Sequence, residues 1–307
     1  MPNTINYAAV FQQELDKAFV HEACTAWMDE NAGLVKYEGG AEIKIPVMAL
    51  SGLADYDRST GYVEGDVSLT YETKTMTQDR GRGFTLDAMD VDETNFAATA
   101  GMVMGEFQRM HVVPEVDAYR IAKLYENTPA GNRKTGALTA SNVYGLLVDD
   151  IAAVRDIVGP GMQLMVHLGY AAKALLAKST EFNRNVDSAN FKHGELTTKV
   201  RSLDGDLLLD TPSACLKTGF TFYKGVADDS VNDKKAGGFA PAAEAKSIHW
   251  LIVPRKAPIA VCKQDKVRTF DPSTYQKANA WHVDYRKYHD LWVLDNQAKA
   301  LYARTEA

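Results

Sequence analysis

The chain has 307 residues, 46% hydrophobic and 24% charged, enough apolar side chain for a substantial core in one large domain or two smaller ones. A net charge of −6 and an isoelectric point near 5.7 argue against a surface tuned as a whole to grip nucleic acid, which needs clustered Lys and Arg. The three cysteines, Cys24, Cys215 and Cys262, are odd in number and unevenly spaced, so neither a disulfide scaffold nor a zinc motif follows, and a reducing compartment is expected. Residues 1–7 lack a basic, then apolar, leader, and no run is long and apolar enough to cross a bilayer. The expectation is a protein that stays where it is made unless assembly or lysis carries it elsewhere.

Taken in order, residues 7–28 set Val10, Phe11, Leu15, Phe19 and Trp27 among polar positions, a helical pattern. It serves equally as an amphipathic helix on its own core or as an arm packed on a neighbour. Residues 42–48 predict a short strand that Pro46 confines to an edge. Residues 51–65 have the Gly and Asp content of an exposed tip. A strand follows, with Val67, Leu69, Tyr71, Thr73 and Thr75 on one face and Ser68, Thr70, Glu72 and Lys74 on the other. Together these predict a protruding hairpin near 40 Å long, at roughly 3.3 Å per residue. A two-stranded ribbon has no second layer to cover its apolar face, so it needs another surface, from its own chain or from another copy.

The composition of residues 79–83 predicts a Gly/Arg turn, with the strand pattern resuming at Phe84, Leu86 and Ala88. Asp92, Glu93 and Thr94 suit a helix start, and Phe96, Ala100, Val103, Phe107 and Met110 recur at helical spacing. The helix would run about 50 Å to Asn127 at about 1.5 Å per residue. Pro114 is expected to kink or split it, by removing an N–H and crowding the carbonyl four residues back. A loop over residues 127–136 is a candidate boundary. Beyond it, a capped helix to about residue 158, a strand over 162–168 and a helix over 171–178 predict a mixed α/β unit. Short strands are expected at 206–210, 247–253 and 259–261, with a surface loop over 226–245. At the end, alternation over 281–286 and the run 291–294 precede an Asp295-Asn296 turn, from which residues 298–303 would return as a hairpin partner against the long helix.

No catalytic constellation emerges. There is no phosphate-binding G-x-x-x-x-G-K-[ST] and no H-E-x-x-H, and His282 and His289 would face opposite sides of a strand. The acids at residues 90–93 are accounted for by helix capping without a cation. No cofactor or metal is called for. Asp79, Arg80, Arg82 and Asp87 stand out, because guanidiniums and carboxylates on a glycine-rich stretch can form bidentate bonds across an interface. The competing reading is a solvated turn with local ion pairs, and nucleic-acid contact is a third. The pairs Lys234-Lys235, Arg255-Lys256 and Arg286-Lys287 are expected to be solvated.

This order of parts, with the stretches 61–65, 77–82, 87–94 and 113–120, resembles the major capsid proteins of tailed bacteriophages, the Hong Kong 97-type fold. The resemblance implies an α+β chain. Residues 1–36 would be an N-terminal arm and 37–92 an extended β loop lying over an adjacent subunit. Residues 93–129 with 260–307 would form a peripheral domain holding a spine helix, and 130–259 an axial domain. It implies no enzymatic activity but self-assembly, as hexamers and pentamers, into an icosahedral head shell around double-stranded DNA, with scaffolding, portal and decoration proteins as partners and no membrane. Location would be the virion capsid, assembled in the host bacterial cytoplasm. Asp79, Arg80, Arg82 and Asp87, with Tyr62, Glu64 and Lys74 on the arm, are the candidate intersubunit contacts. An encapsulin-type shell around cargo enzymes is the rival within the fold, and a soluble α/β enzyme is the rival outside it.

Overall fold

In a computed structural model the fold is described for residues 23–34, 42–89, 100–179, 187–193, 196–203, 205–225 and 237–307. Strands β1 (Glu42–Leu50) and β2 (Val67–Thr75) form an isolated antiparallel ribbon. Strand β3 (Gln78–Asp87) then enters a sheet of its own. Next come strands β4 (Arg133–Thr135), β5 (Leu164–Gly169), β6 (Asp187–His193), β7 (Leu196–Leu203) and β8 (Asp206–Thr211). A short pair, β9 (Phe220–Phe222) and β10 (Phe239–Pro241), follows. The chain closes with β11 (Ile248–Pro254), β12 (Pro258–Phe270), β13 (Ala280–Val293) and β14 (Tyr302–Thr305).

Two sheets carry the body. A seven-stranded sheet has the order β4-β14-β11-β5-β8-β7-β6. Its central strands are buried on both faces, which is why they read as unbroken apolar runs. Leu164, Val166, Leu168, Trp250 and Ile252 pack beneath the helices Val143–Val158 and Tyr170–Lys178. The alternate positions Met165, Leu251 and Val253 join Ala118, Ile121 and Leu124 of the long helix in a second core. Buried Asp150 ties the first of those helices to this sheet, accepting from Trp250 Nε1 at 2.9 Å and from Arg304 at 2.7 Å through two nitrogens. The other sheet has three strands, β12-β13-β3, all antiparallel.

Three expectations change. Residues 79–83 are not a turn; they lie inside β3, opposite residues 284–288 of β13. Their glycines serve the ladder, because a Cβ at Gly81 would lie 2.6 Å from the Tyr285 carbonyl oxygen. The long helix is not split by Pro114. It runs from Ala100–Phe107 through a π-turn, Gln108–Val112, into Val113–Asn127. Val113 N bonds Gln108 O, five residues back, so Pro114 falls at the first turn of a restarted α-helix, where its missing N–H costs no bond. The expected C-terminal hairpin does not form: residues 280–293 are one strand between β12 and β3, and β14 crosses to the other sheet to pair with β11 and β4.

The expectation of an N-terminal helix falls mostly outside the described residues. Its described end, Ala26–Leu34, is a 3₁₀-helix, and Trp27 and Met28 are buried in the core shared with the long helix. Most of the expected 226–245 loop also lies outside them, though residues 239–241 form β10. Among the described residues, no helix is long and apolar enough to cross a membrane.

Candidate assembly interface

The ribbon is the first half of the site. Its register sets Met48 opposite Leu69 and Leu50 opposite Val67, and Tyr71 shares their face by strand alternation. All five are exposed, from Leu69 at 52% to Val67 at 68%. The nine paired residues span about 30 Å. A bare apolar face of this size is unusual on a monomer and marks a contact surface. At the tip, Asp57 accepts from Ser59 N and Oγ, both at 2.7 Å, and these bonds hold its carboxyl below the usual carboxylate range. Asp57 also bridges Gly61, and the rings of Tyr56 and Tyr62 lie 4.9 Å apart beside this turn. Tyr62 and Glu64 are both exposed on this ordered tip.

The ribbon's base is anchored. Ile45 and Met76 are buried with Ile259, Val261 and Trp292. Lys74 Nζ sits 3.2 Å from both Glu72 and Asp295 carboxylates. At the corner before β3, the buried carboxylate of Asp290 accepts from Thr77 N at 2.7 Å, Thr77 Oγ1 at 3.0 Å and Tyr119 OH at 2.6 Å. Burial, then this bond, raises the Tyr119 phenol well above its ordinary value. One carboxylate thus joins ribbon, sheet and long helix.

Strand alternation divides the other candidates. Arg80 and Arg82 face the long helix, whereas Asp79 faces away and pairs with Arg286, whose hydrogen bond lowers the Asp79 carboxyl. Asp87 caps the strand's exit, accepting from Met89 N at 2.9 Å. Arg80 is the hub of the junction. It forms a bidentate pair with Glu115, one turn after the π-turn, donates at 3.3 Å to the carbonyls of both Tyr223 and Gly238, and lies over the Phe222 ring. Arg82 runs past Gly225 and Gly237; a Cβ at either would stand 3.2 Å from its Nη1.

Between β3, β13 and the long helix opens a cleft of about 730 Å³. Phe84, Phe107 and Tyr285 form its aromatic floor, with ring centroids 5.0 and 6.0 Å apart edge to face. His289 closes one end, its ring perpendicular to that of Tyr119. Burial, then the charge of Arg120, pushes its imidazole down to about 3. On the far side of the long helix, Asp117 accepts from the backbone N–H and side chains of both Cys24 and Thr25, pinning the N-terminal segment.

The structure therefore gathers Asp79, Arg80 and Arg82 at the cleft, with Asp79 held by Arg286, leaves Asp87 outside it, and places Tyr62 and Glu64 on the tip. Glu115, Asp117 and Asp290 were missed. Glu115 follows Pro114 at a helix restart, where an acid suits the N-terminal dipole, and that alone could have drawn notice. Among the described residues, no cluster of side chains has the makings of a metal site.

By sequence, the chain matches no family model and no curated protein. Its fold is an α+β one that phage capsids use. The capsid structure of the Cyanophage P-SCSP1u superposes with a TM-score of 0.67 at 13% identity, covering 98% of this chain and 93% of that one. The mature capsid of bacteriophage PhiM1 gives 0.62 at 9% identity, covering 98% and 92%. A structure from Mycobacterium phage Che8 gives 0.62 at 13%, covering 98% and 97%.

Proposed function

We propose that this chain is the major capsid protein of a tailed phage, a structural subunit that carries out no reaction and assembles with its own copies into the icosahedral head shell around double-stranded DNA. The observation that carries the reading is the ribbon: a 30 Å arm, at about 3.3 Å per residue, whose outer part exposes Met48, Leu50, Val67, Leu69 and Tyr71 on one face and whose base is firmly anchored. An arm with that face needs a surface, and the described body of its own chain supplies none. Likeness to capsid structures over nearly the whole chain supports the same reading.

In this reading the ribbon, within residues 37–92, lies over an adjacent subunit. The peripheral part, from residues 93–129 and 260–307, comprises the long helix and most of β12 and β13, whose sheet is completed by β3 from the loop segment. The axial part, from residues 130–259, holds most of the seven-stranded sheet, with β14 lent to it by the chain's end. Hexamers and pentamers need heterologous contacts that close. Scaffolding, portal and decoration proteins are the expected partners, the host bacterial cytoplasm the place of assembly and the virion capsid the destination.

The test is electron microscopy and sedimentation of the purified chain, produced with the scaffolding protein of its own phage. Closed shells are expected. Leu69→Asp, at an exposed position, should leave the unassembled subunit's stability within about 0.5 kcal/mol of the parent and abolish shells. A chain that remains a monomer at high concentration with scaffold present overturns the reading.

A further inference from the structure

We infer that the cleft between β3, β13 and the long helix of a single subunit binds a small aromatic carboxylate, its ring on Phe84, Phe107 and Tyr285 and its carboxylate on Arg82. The site lies within one chain, so it stands apart from shell formation. Three observations carry it. The first is size. At about 730 Å³ the cleft falls within the roughly 300–1,000 Å³ of small-molecule sites.

The second is the floor. The ring of Phe107 stands 5.0 Å from Phe84 and 6.0 Å from Tyr285, at interplanar angles of 68° and 70°, so faces and edges alternate across the surface. A flat ring packs on such a surface offset or edge to face. Val103, Met110 and Val116 of the long helix add an apolar wall.

The third is charge. The acids that line the cleft are engaged, Glu115 by Arg80, Glu106 by Arg109 and Asp79 by Arg286, and Lys287 is taken by Asp265. Arg82 is exposed and has no carboxylate at ion-pair distance among the described residues. Its place is set by bare backbone: Cβ atoms at Gly225 or Gly237 would stand 3.2 Å from its Nη1, and both glycines have positive φ, +77° and +71°. A planar guanidinium held in this way is ready to take a carboxylate through two nitrogens. One uncommitted arginine compensates one negative charge. A phosphate dianion would bring a second beside Glu106, Glu115 and Asp79, so the geometry favours the monoanion.

Isothermal titration calorimetry on the full, unassembled chain tests this with cinnamate, its neutral counterpart cinnamyl alcohol, and acetate. Cinnamate is expected to bind once per chain with a dissociation constant below about 1 mM, at least about tenfold more tightly than cinnamyl alcohol, and acetate not to bind. Arg82→Gln should bring cinnamate to within about twofold of cinnamyl alcohol and leave the alcohol's own affinity within about twofold. Met110→Trp, at an exposed position on the cleft wall, should abolish binding of both by filling the place of the ring. Leu69→Asp should change none of the affinities by more than about twofold, which separates the cleft from the ribbon's apolar face. Melting without ligand checks that each variant is folded.

A cinnamate dissociation constant above about 1 mM, binding at several sites per chain, binding unchanged in folded Arg82→Gln or Met110→Trp, or binding lost in Leu69→Asp overturns the assignment. Each of these leaves the capsid reading standing. Absence of shells from the parent chain overturns that reading and leaves the cleft's ligand untouched.

Discussion

Replacing Asp290 should loosen the corner where the arm joins the body. Its carboxylate is 1% exposed and takes two bonds from Thr77 and one from Tyr119, besides the Leu291 N–H at 2.7 Å. Asp290→Ala strips a charged acceptor from these donors, of which Tyr119 OH stays buried. Losing a hydrogen bond to a charged group costs about 1.5–3 kcal/mol, and each orphaned buried donor about 1–3 kcal/mol. Thr77 can turn to solvent, whereas Tyr119 cannot, so about 3–5 kcal/mol is expected in total. Against the 5–15 kcal/mol typical of folded domains, the subunit should still fold. Its melting temperature should fall by roughly 6–15 °C, as measured by calorimetry on unassembled protein. Tyr119→Phe should cost less, and combined with Asp290→Ala it should add little, because both remove the same bond. A loss below about 2 °C for Asp290→Ala, or full additivity in the double variant, would refute the assignment of Asp290 as the shared acceptor.

Acid should destabilise the subunit through two histidines held neutral. His167 is fully buried, donating or accepting at Thr211 Oγ1 and stacked on Trp27; burial pushes its imidazole down to about 4, while His289 is pushed to about 3. Both folded values lie below the ordinary 6.5, so the unfolded chain binds more protons. Stability is therefore full above about pH 6.5, is lost as pH falls below it, and levels off only near pH 3. By pH 5 the two together cost roughly 3–4 kcal/mol, and urea midpoints against pH should lose about half that slope in His167→Gln. Glycine substitutions should part in sign. Gly81→Ala drives a Cβ into the β13 backbone and should cost about 1–3 kcal/mol, whereas Gly105→Ala, in open space on a helix, should gain about 0.4–1 kcal/mol by thermal melting.

What could be read from sequence was what repeats locally. The ribbon, its faces and its tip followed from period-two alternation, and the long helix from Val103, Phe107 and Met110 at helical spacing. The Gly81 and Gly83 stretch misled because two glycines in three residues are turn chemistry by composition. Here they answer to a strand that approaches from 200 residues away, a contact no local pattern contains. Strand β13 was broken in the reading at His289 and Asp290, polar residues in an apolar run, and these are polar because they are buried under the long helix with Tyr119. The site divided along the same line. Exposure of Tyr62 and Glu64 was legible from tip composition, whereas the partnership of Arg80 with Glu115 and the existence of the cleft depend on packing a helix against a distant sheet.

The continuity of β13 gives the subunit a load path. Tension on the ribbon enters β3 at Gln78, and if it acts lengthwise it is shared as shear by the ten register pairs between β3 and β13. From β13 the chain passes through the short helix Asp295–Ala298 into β14, which is sewn to β11 and β4 in the larger sheet. A pull on the ribbon is thus borne by backbone ladders in both sheets in turn, and the arm works as a tie rod fixed into the body.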